Sequence, residues 1–152
     1  MKIEVIVVGK LKEYAQKACT DYMKLLKPFT QIEVVQLRHA KTRELNEIAL
    51  KQEAEDVLAH LKESDYVILL DQNGKDYDSI SFAKHLSDLA LQRSSIVFVI
   101  GGPFGVDNIL KKRANELLSL SKMTFTHQLA VVILLEQLFR AFKIIHGQRY
   151  HY

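Results

Sequence analysis

Short apolar runs alternate along this chain with segments whose apolar residues recur at helical spacing. The runs, rich in Val, Ile and Leu, are typical of strands and lie at residues 3–8, 66–71, 96–100 and 117–120, while residues 32–37 suit a strand through apolar residues that alternate with polar ones. The helical spacing covers residues 11–26, 45–61, 79–91, 107–115 and 128–146. This alternation predicts an α/β fold with a mainly parallel sheet and helices on both faces, in a single domain covering residues 1–152.

Polar residues and glycines mark where several of these elements begin and end. Ser79 or Ser81 could cap the third helix, and Asp107 is well placed to cap the short fourth one. Asn73-Gly74 predicts a tight bend with unusual backbone angles after the third strand. Gly147 fits the C-terminal cap of the last helix.

The last helix is apolar almost all round. Its few polar positions are Gln128, Glu136, Gln137, Arg140 and Lys143. A helix of this kind must be covered on most sides, and a chain of 152 residues cannot easily cover both flanks of its own terminal helix. The pattern therefore predicts a two-fold homodimer, the commonest oligomeric form.

The loop at residues 101–105 follows a strand buried on both faces and holds three glycines. Glycine lets bare backbone approach a ligand, and in open α/β sheets ligands bind at the carboxyl ends of the strands. The alternative is a tight strand-to-helix turn without a ligand. The loop lacks both the Gly-x-Gly-x-x-Gly order of dinucleotide sites and the Gly-Lys-Ser/Thr ending of a P-loop, so the glycines alone do not name the ligand.

Composition narrows the class of protein. With 48% apolar and 26% charged residues the chain is typical of soluble globular proteins, and its longest apolar stretch, residues 129–135, is too short to span a bilayer. The start of the chain enters a strand pattern at once, without a signal peptide, which predicts a cytoplasmic location. A net charge of +3 permits nucleic-acid binding without demanding it.

Cysteine and histidine usage argues against a metal site. Cys19 has no cysteine partner, and the six histidines show no spacing of a ligand set. We therefore expect no metal, and Cys19 is expected to act as a small buried hydrophobe.

Several longer motifs carry a family resemblance over the whole chain. They lie at residues 8–12, 70–75, 100–105, 118–129, 134–144 and 147–151. With them the chain closely resembles the bacterial 23S ribosomal RNA pseudouridine-N3-methyltransferases, the family of ribosomal RNA large subunit methyltransferase H in the SPOUT class. The resemblance implies a C-terminal trefoil knot, a homodimer formed through it, and S-adenosylmethionine as cofactor. The cofactor-binding residues that it implies are Leu70, Gly101, Leu120, Ser121, Lys122, Met123, Thr124 and Phe125.

The same resemblance implies the substrate and the residues that hold it. The substrate is a pseudouridine, nucleotide 1915 of 23S rRNA in the assembled ribosome, which is methylated at N3. Arg140, Tyr150 and His151 match the family's substrate-site positions, and His127 also falls in a family motif. For Arg140 the alternative is a helix-surface ion pair with Glu136, and for His127 a hydrogen-bonding role at the helix start.

Three positions depart from the family pattern. Family members commonly carry an arginine at the place of Val131, a lysine or arginine at that of Tyr152, and a proline or small residue at that of Arg149. The departures leave two further functions open. One is a knotted RNA-binding or ribosome-assembly factor without catalysis, and the other is a SPOUT methyltransferase that acts on another RNA, such as tRNA.

Overall fold

The computed structural model describes residues 1–38, 47–103 and 105–150, and its centre is a five-stranded parallel sheet. The strands are β1 (Lys2–Val8), β2 (Gln31–Leu37), β3 (Tyr66–Lys75), β4 (Ser95–Ile100) and β5 (Glu116–Leu118). The helices are α1 (Glu13–Leu26), α2 (Glu47–His60), α3 (Ser79–Gln92), α4 (Asn108–Arg113) and α5 (His127–Ile145). The strand order is β2-β1-β4-β3-β5. Leu45, in the predicted second helix, lies outside the described residues.

Helices cover both faces of the sheet, because successive side chains of each strand point to opposite sides. In β1, Ile3, Val5 and Val7 belong to a core shared with α1, α3 and α5. Ile6 and Val8 belong to a second core with α2 and α4. A strand buried on both faces needs apolar residues at nearly every position, so the predicted parallel α/β fold is confirmed.

The terminal helix is covered within its own chain. Helix α5 packs against α1 and α3 and also touches the sheet. Leu134 and Leu138 are 0% exposed, and Phe142 stacks on Phe29 with ring centroids 5.8 Å apart. Two helices and the sheet therefore bury most of α5, whereas Leu129 and Ile145 remain 46% and 38% exposed. The homodimer stays a prediction that needs other support.

Helix ends follow the expected chemistry with one change of residue. Helix α3 is capped by Asp78, whose Oδ1 accepts from the Ser81 backbone N–H at 2.7 Å, so neither Ser79 nor Ser81 is the cap. An aspartate just ahead of two serines takes the role because its carboxylate reaches the free N–H groups of the first turn. Asp107 caps α4 as predicted. Gly147 adopts a φ of +63°, as expected after the last helical turn.

The prediction of a tight turn with unusual backbone angles at Asn73-Gly74 is wrong. Gly74 has no positive φ, and β3 continues through it to Lys75. Leu118 of β5 pairs with both Leu70 and Lys75, so the four residues between them leave the ladder as an irregularity. A Cβ at Gly74 would lie 2.5 Å from the Leu117 carbonyl carbon. Glycine is needed here because two backbones approach closely.

Two other expectations concern the chain as a whole. Over the part of the chain that the structure describes, no helix has the length and apolar character needed to cross a membrane. The trefoil knot stays a prediction, since strand order and register do not define how the chain is threaded.

Candidate active site

A cavity of about 780 Å³ opens at the carboxyl ends of β3, β4 and β5. After β1 and β3 the chain passes to the face covered by α1 and α3, whereas after β4 it passes to the face covered by α4. Such a change of side opens a crevice at the sheet edge, and this is where open α/β folds bind ligands. The start of α5 closes the cavity on another side.

The glycine loop after β4 is both a tight turn and a wall of this cavity. The Gly105 N–H donates to the Gly102 carbonyl at 3.1 Å, and Gly105 has a φ of +91°. A Cβ at Gly101 would lie 2.4 Å from Cγ1 of Val106, so this position must be glycine for the loop to pack on itself. The loop is therefore a tight turn that also lines the cavity, as the ligand-binding interpretation expected.

The segment between β5 and α5 follows an irregular path fixed by its own hydroxyl groups. Ser119 Oγ donates to the Ser121 carbonyl at 3.0 Å, and Ser121 Oγ accepts from the Met123 N–H at 3.0 Å. Thr126 caps α5. Met123 and Phe125 line the cavity and remain 77% and 39% exposed. The segment thus places apolar side chains at the cavity without burying them.

The buried Gln128 connects the start of α5 to the loop after β1 by two hydrogen bonds. Gln128 is 6% exposed, its Oε1 accepts from the Lys12 N–H at 2.8 Å, and its Nε2 donates to the Lys10 carbonyl at 3.0 Å. Sequence reasoning missed this role. The available signal was a polar residue in the first turn of an otherwise apolar helix, where a buried amide needs partners.

The same amide contacts His127. Nε2 of Gln128 lies 3.0 Å from Nε2 of His127. Because Gln128 Oε1 already accepts from the Lys12 N–H, the group that faces His127 is the amide NH₂. The geometry favours the hydrogen-bonding role of His127 over that of a catalyst.

An ion pair lies in the cavity wall. Lys111 Nζ on α4 is 3.4 Å from Oδ2 of Asp71, which follows the buried part of β3. Oδ1 of Asp71 accepts from the Asn73 N–H at 2.9 Å. The sequence showed only that a buried strand ends in an acid. Its partner lies 40 residues further along, and only the fold brings the two together.

Every residue of the predicted cofactor set except Lys122 lines this one cavity. The lining members are Leu70, Gly101, Leu120, Ser121, Met123, Thr124 and Phe125. Lys122 lies between two lining residues but is itself exposed. Residues 70, 101 and 120–125 are far apart in sequence, and the ends of three adjacent strands bring them together.

The two predicted substrate residues that the structure describes, Arg140 and Tyr150, form a separate cluster around Glu136. Arg140 pairs with Glu136 Oε1, as the alternative interpretation expected, and the Tyr150 hydroxyl donates to the same oxygen at 3.1 Å. The Arg140 guanidinium also stands over the Tyr150 ring at 4.7 Å, and Tyr150 packs edge-on against Phe139 at 4.8 Å. Tyr150 is thus held in place although it lies near the chain end.

Burial and the Glu136 charge dominate the electrostatics of this cluster. Desolvation raises the pKa of Tyr150 to about 12, with the negative charge of Glu136 as the next cause. The hydrogen bond to Glu136 raises the pKa of Arg140 further above its ordinary value. Arg140 is therefore a permanent cation and Tyr150 a neutral hydroxyl at neutral pH.

The cluster and the cavity lie towards opposite ends of α5. Arg140 follows His127 by 13 residues, which at about 1.5 Å per residue places it about 20 Å further along the helix. Neither Arg140 nor Tyr150 lines the cavity. Arg140 and Tyr150 therefore lie apart from the predicted cofactor site of their own chain. His151 lies outside the described residues.

Within the described ranges, no three His, Cys, Asp or Glu side chains come together as a metal ion would need. Cys19 is buried, as expected, and burial raises its pKa to about 11, which keeps the thiol protonated and unreactive at neutral pH.

Comparison with known proteins agrees with this architecture. Residues 1–151 match the family model described as "Predicted SPOUT methyltransferase". A protein of Pseudothermotoga lettingae is 65% identical over 152 residues, all of both chains, and is named "Ribosomal RNA large subunit methyltransferase H". Proteins of the same name from Clostridium novyi, 47% identical with 99% of each chain covered, and Caldicellulosiruptor saccharolyticus, 43% identical with 98% and 99% covered, are also similar. The chain therefore belongs to the SPOUT methyltransferase family, among the relatives of ribosomal RNA large subunit methyltransferase H.

Proposed function

We propose that this methyltransferase transfers the methyl group of S-adenosylmethionine to N3 of a pseudouridine in 23S rRNA, nucleotide 1915 of the assembled ribosome. The observation that carries the proposal is the cavity at the sheet edge, where the glycine loop and residues 120–126 meet. Full-length similarity to proteins named as large-subunit rRNA methyltransferases supports the choice of substrate.

The residues around the cavity fit this cofactor. Its volume of about 780 Å³ lies within the range of small-molecule sites. Leu70, Ile100 and Leu118 offer apolar surface for an adenine ring, and the glycine loop offers backbone hydrogen-bonding groups. The cofactor has no phosphate, which agrees with the lack of a phosphate-binding motif in the sequence. When bound, it supplies an electrophilic methyl group on a sulfonium centre.

The protein's main task in this reaction is positioning. N3 must give up its proton to water, and a cation beside the base would stabilise the negative charge that this leaves on the ring. Arg140 is such a cation, and Glu136 fixes its direction. Holding N3 in line with the methyl group contributes further, since orientation supplies about 7 to 11 kcal/mol in favourable cases.

The separation along α5 leads to a site shared between two copies. Arg140 lies about 15 Å along the helix from Ala130, the lining residue of α5 nearest to it, and Tyr150 packs beside Arg140 rather than in the cavity. In a homodimer, Arg140, Tyr150 and His151 of one copy can meet the cavity of the other. The homodimer thus rests on the incomplete site of the single chain and on the family resemblance.

The proposed substrate also implies where in the cell the reaction takes place. Ribosomes work in the cytoplasm, and the mildly basic chain, with a net charge of +3, suits an RNA partner. The assembly-factor alternative loses one of its supports, because Val131 is fully buried in the core around α5. Because Val131 packs inside this chain, the absence of the family's arginine at this position is no argument against RNA binding.

Subunit mixing tests the shared site. Thr124→Trp fills the cavity of one chain type, and Arg140→Ala removes the substrate cation of the other, so each homodimer should be inactive on ribosomes. A mixed dimer holds one intact cavity opposite one intact Arg140. Random exchange makes half of the dimers mixed, each with one of two sites working, and should restore about a quarter of wild-type activity.

The control is Lys84→Trp on the exposed face of α3, which should keep activity. If the mixture stays as inactive as its parents after mass spectrometry has proved subunit exchange, the shared site is wrong. Calorimetry with S-adenosylmethionine separates the two defects, since only Thr124→Trp should lose cofactor binding.

A further inference from the structure

The Asp71–Lys111 pair in the cavity wall has no part in the mechanism described so far. The side chain of Asp71 is 8% exposed and that of Lys111 is 38% exposed, with Oδ2 and Nζ 3.4 Å apart. Oδ1 is oriented by the Asn73 N–H at 2.9 Å. Both residues and Asn73 line the cavity. The carboxylate is therefore held in a fixed direction by a backbone group and a neighbouring cation.

Asp71 is the only acidic residue among the described residues that line the cavity. Two contacts occupy part of its hydrogen-bonding capacity, since an ionised carboxylate has about four acceptor positions. An ammonium group brought from water into a cavity needs such acceptors, because a charge without a partner is costly to bury. Among the described lining residues, no other side chain offers it a negative charge.

The proposed cofactor carries the matching groups. Its amino-acid end holds an α-ammonium and an α-carboxylate on the same carbon, a pair of opposite charges at about the spacing of Asp71 and Lys111. Building on the proposed function, we infer that Asp71 binds the α-ammonium and Lys111 the α-carboxylate of S-adenosylmethionine. The amino-acid end therefore lies beside β3 and α4, and the adenosine part occupies the rest of the cavity.

A ribose contact would be the competing use of this carboxylate. The ribose hydroxyls are neutral and need only an acceptor, so they leave the Lys111 charge without a counterpart in the ligand. A zwitterion satisfies both members of the pair, and charge-assisted hydrogen bonds are roughly twice as strong as neutral ones. The pairing of opposite charges in the wall thus favours the amino-acid end.

Three ligands test this assignment by calorimetry with the full-length protein. S-adenosylmethionine and S-adenosylhomocysteine both carry the amino-acid end, whereas 5′-methylthioadenosine lacks it and keeps the ribose and adenine. Asp71→Asn and Lys111→Met should each weaken the first two ligands roughly tenfold to a hundredfold, the effect of losing a hydrogen bond to a charged group. Both variants should leave 5′-methylthioadenosine unchanged, measured by competition if it binds weakly.

Different outcomes overturn the inference in recognisable ways. Equal weakening of all three ligands assigns Asp71 to the ribose, and weakening of S-adenosylmethionine alone assigns it to the sulfonium charge. Unchanged affinity for all three ligands would show that Asp71 and Lys111 do not bind the cofactor. Lys112→Met, an exposed neighbour outside the cavity, is the matched control and should bind all three like the wild type. If the wild-type chain itself binds no S-adenosylmethionine, the proposed function fails and not this assignment alone.

Discussion

We expect the hydrogen bonds of Gln128 to stabilise both the cavity and the fold. Replacing it with leucine keeps the size of the side chain but removes the acceptor for the Lys12 N–H and the donor for the Lys10 carbonyl. Each lost hydrogen bond contributes about 1 kcal/mol, and a backbone group left buried without water costs about 1 to 3 kcal/mol. Lys10 and Lys12 have exposed side chains, so water can reach part of this backbone. We expect a loss of about 2 kcal/mol.

Urea unfolding measures this loss directly. For a chain of this size a change of about 2 kcal/mol also lowers the melting temperature by about 4 to 8 °C. Hydrogen exchange adds a local test, because the Lys12 amide should exchange faster in Gln128→Leu while amides in the middle of β1 keep their protection. Gln52→Leu is the control, since its hydrogen bond to Asp56 lies on the exposed face of α2 and should change stability by less than about 0.5 kcal/mol.

The reasoning is refuted if Gln128→Leu unfolds at the wild-type urea concentration and the Lys12 amide stays equally protected. Gln128→Glu gives a second view of the same contact. It keeps the acceptor for Lys12 but sets a carboxylate oxygen against the Lys10 carbonyl. It should therefore be no more stable than the leucine variant at neutral pH.

Three more outcomes follow from the packing and the tyrosines. Leu134→Glu should give unfolded or insoluble protein, because the side chain is 0% exposed within the single chain; a soluble, folded monomer would contradict this. Gly74→Ala should lower the free energy of unfolding, measured in urea, by about 1 to 3 kcal/mol, because the new Cβ would lie 2.5 Å from the Leu117 backbone. Gly102→Ala is the control and should fold like the wild type, since its Cβ would have no neighbour closer than 3.5 Å. The pKa of Tyr150 is raised from 10.0 to about 12 by folding, so its contribution to stability is present below pH 10 and disappears as the pH rises to about 12. Tyr150→Phe should flatten this decline in unfolding midpoints measured from pH 9 to 12, and an equally steep decline would show that Tyr150 is not its source.

The central strands β1 and β4 could be predicted from sequence because they are buried on both faces. Residues 96–100 are all apolar since α3 and α5 cover one side of β4, and α2 and α4 cover the other. The terminal helix was also predicted correctly, but its packing against α1 and α3 was not predicted. Its cover comes from α1 and α3, and a hydrophobic pattern does not say which neighbour buries it.

The candidate site was only partly predictable. The glycine loop and residues 120–125 could be found because they form continuous motifs. Asp71 and Lys111 could not be paired, since their contact depends on the sheet order, and Gln128 could not be matched to Lys10 and Lys12 for the same reason. Gly74 shows a further limit: sequence does not distinguish a glycine needed for a positive φ from one needed for close backbone approach.

Methyl transfer to ribosomes is the decisive measurement for the proposed function. The chain is incubated with methyl-labelled S-adenosylmethionine and intact ribosomes, in parallel with free 23S rRNA, tRNA, and ribosomes that carry uridine in place of the pseudouridine. The modified nucleotide is then mapped by mass spectrometry. The account predicts label at N3 of one pseudouridine in the 23S rRNA of intact ribosomes, and none in Arg140→Ala. Label in tRNA, or no label from a chain that binds the cofactor, would contradict it.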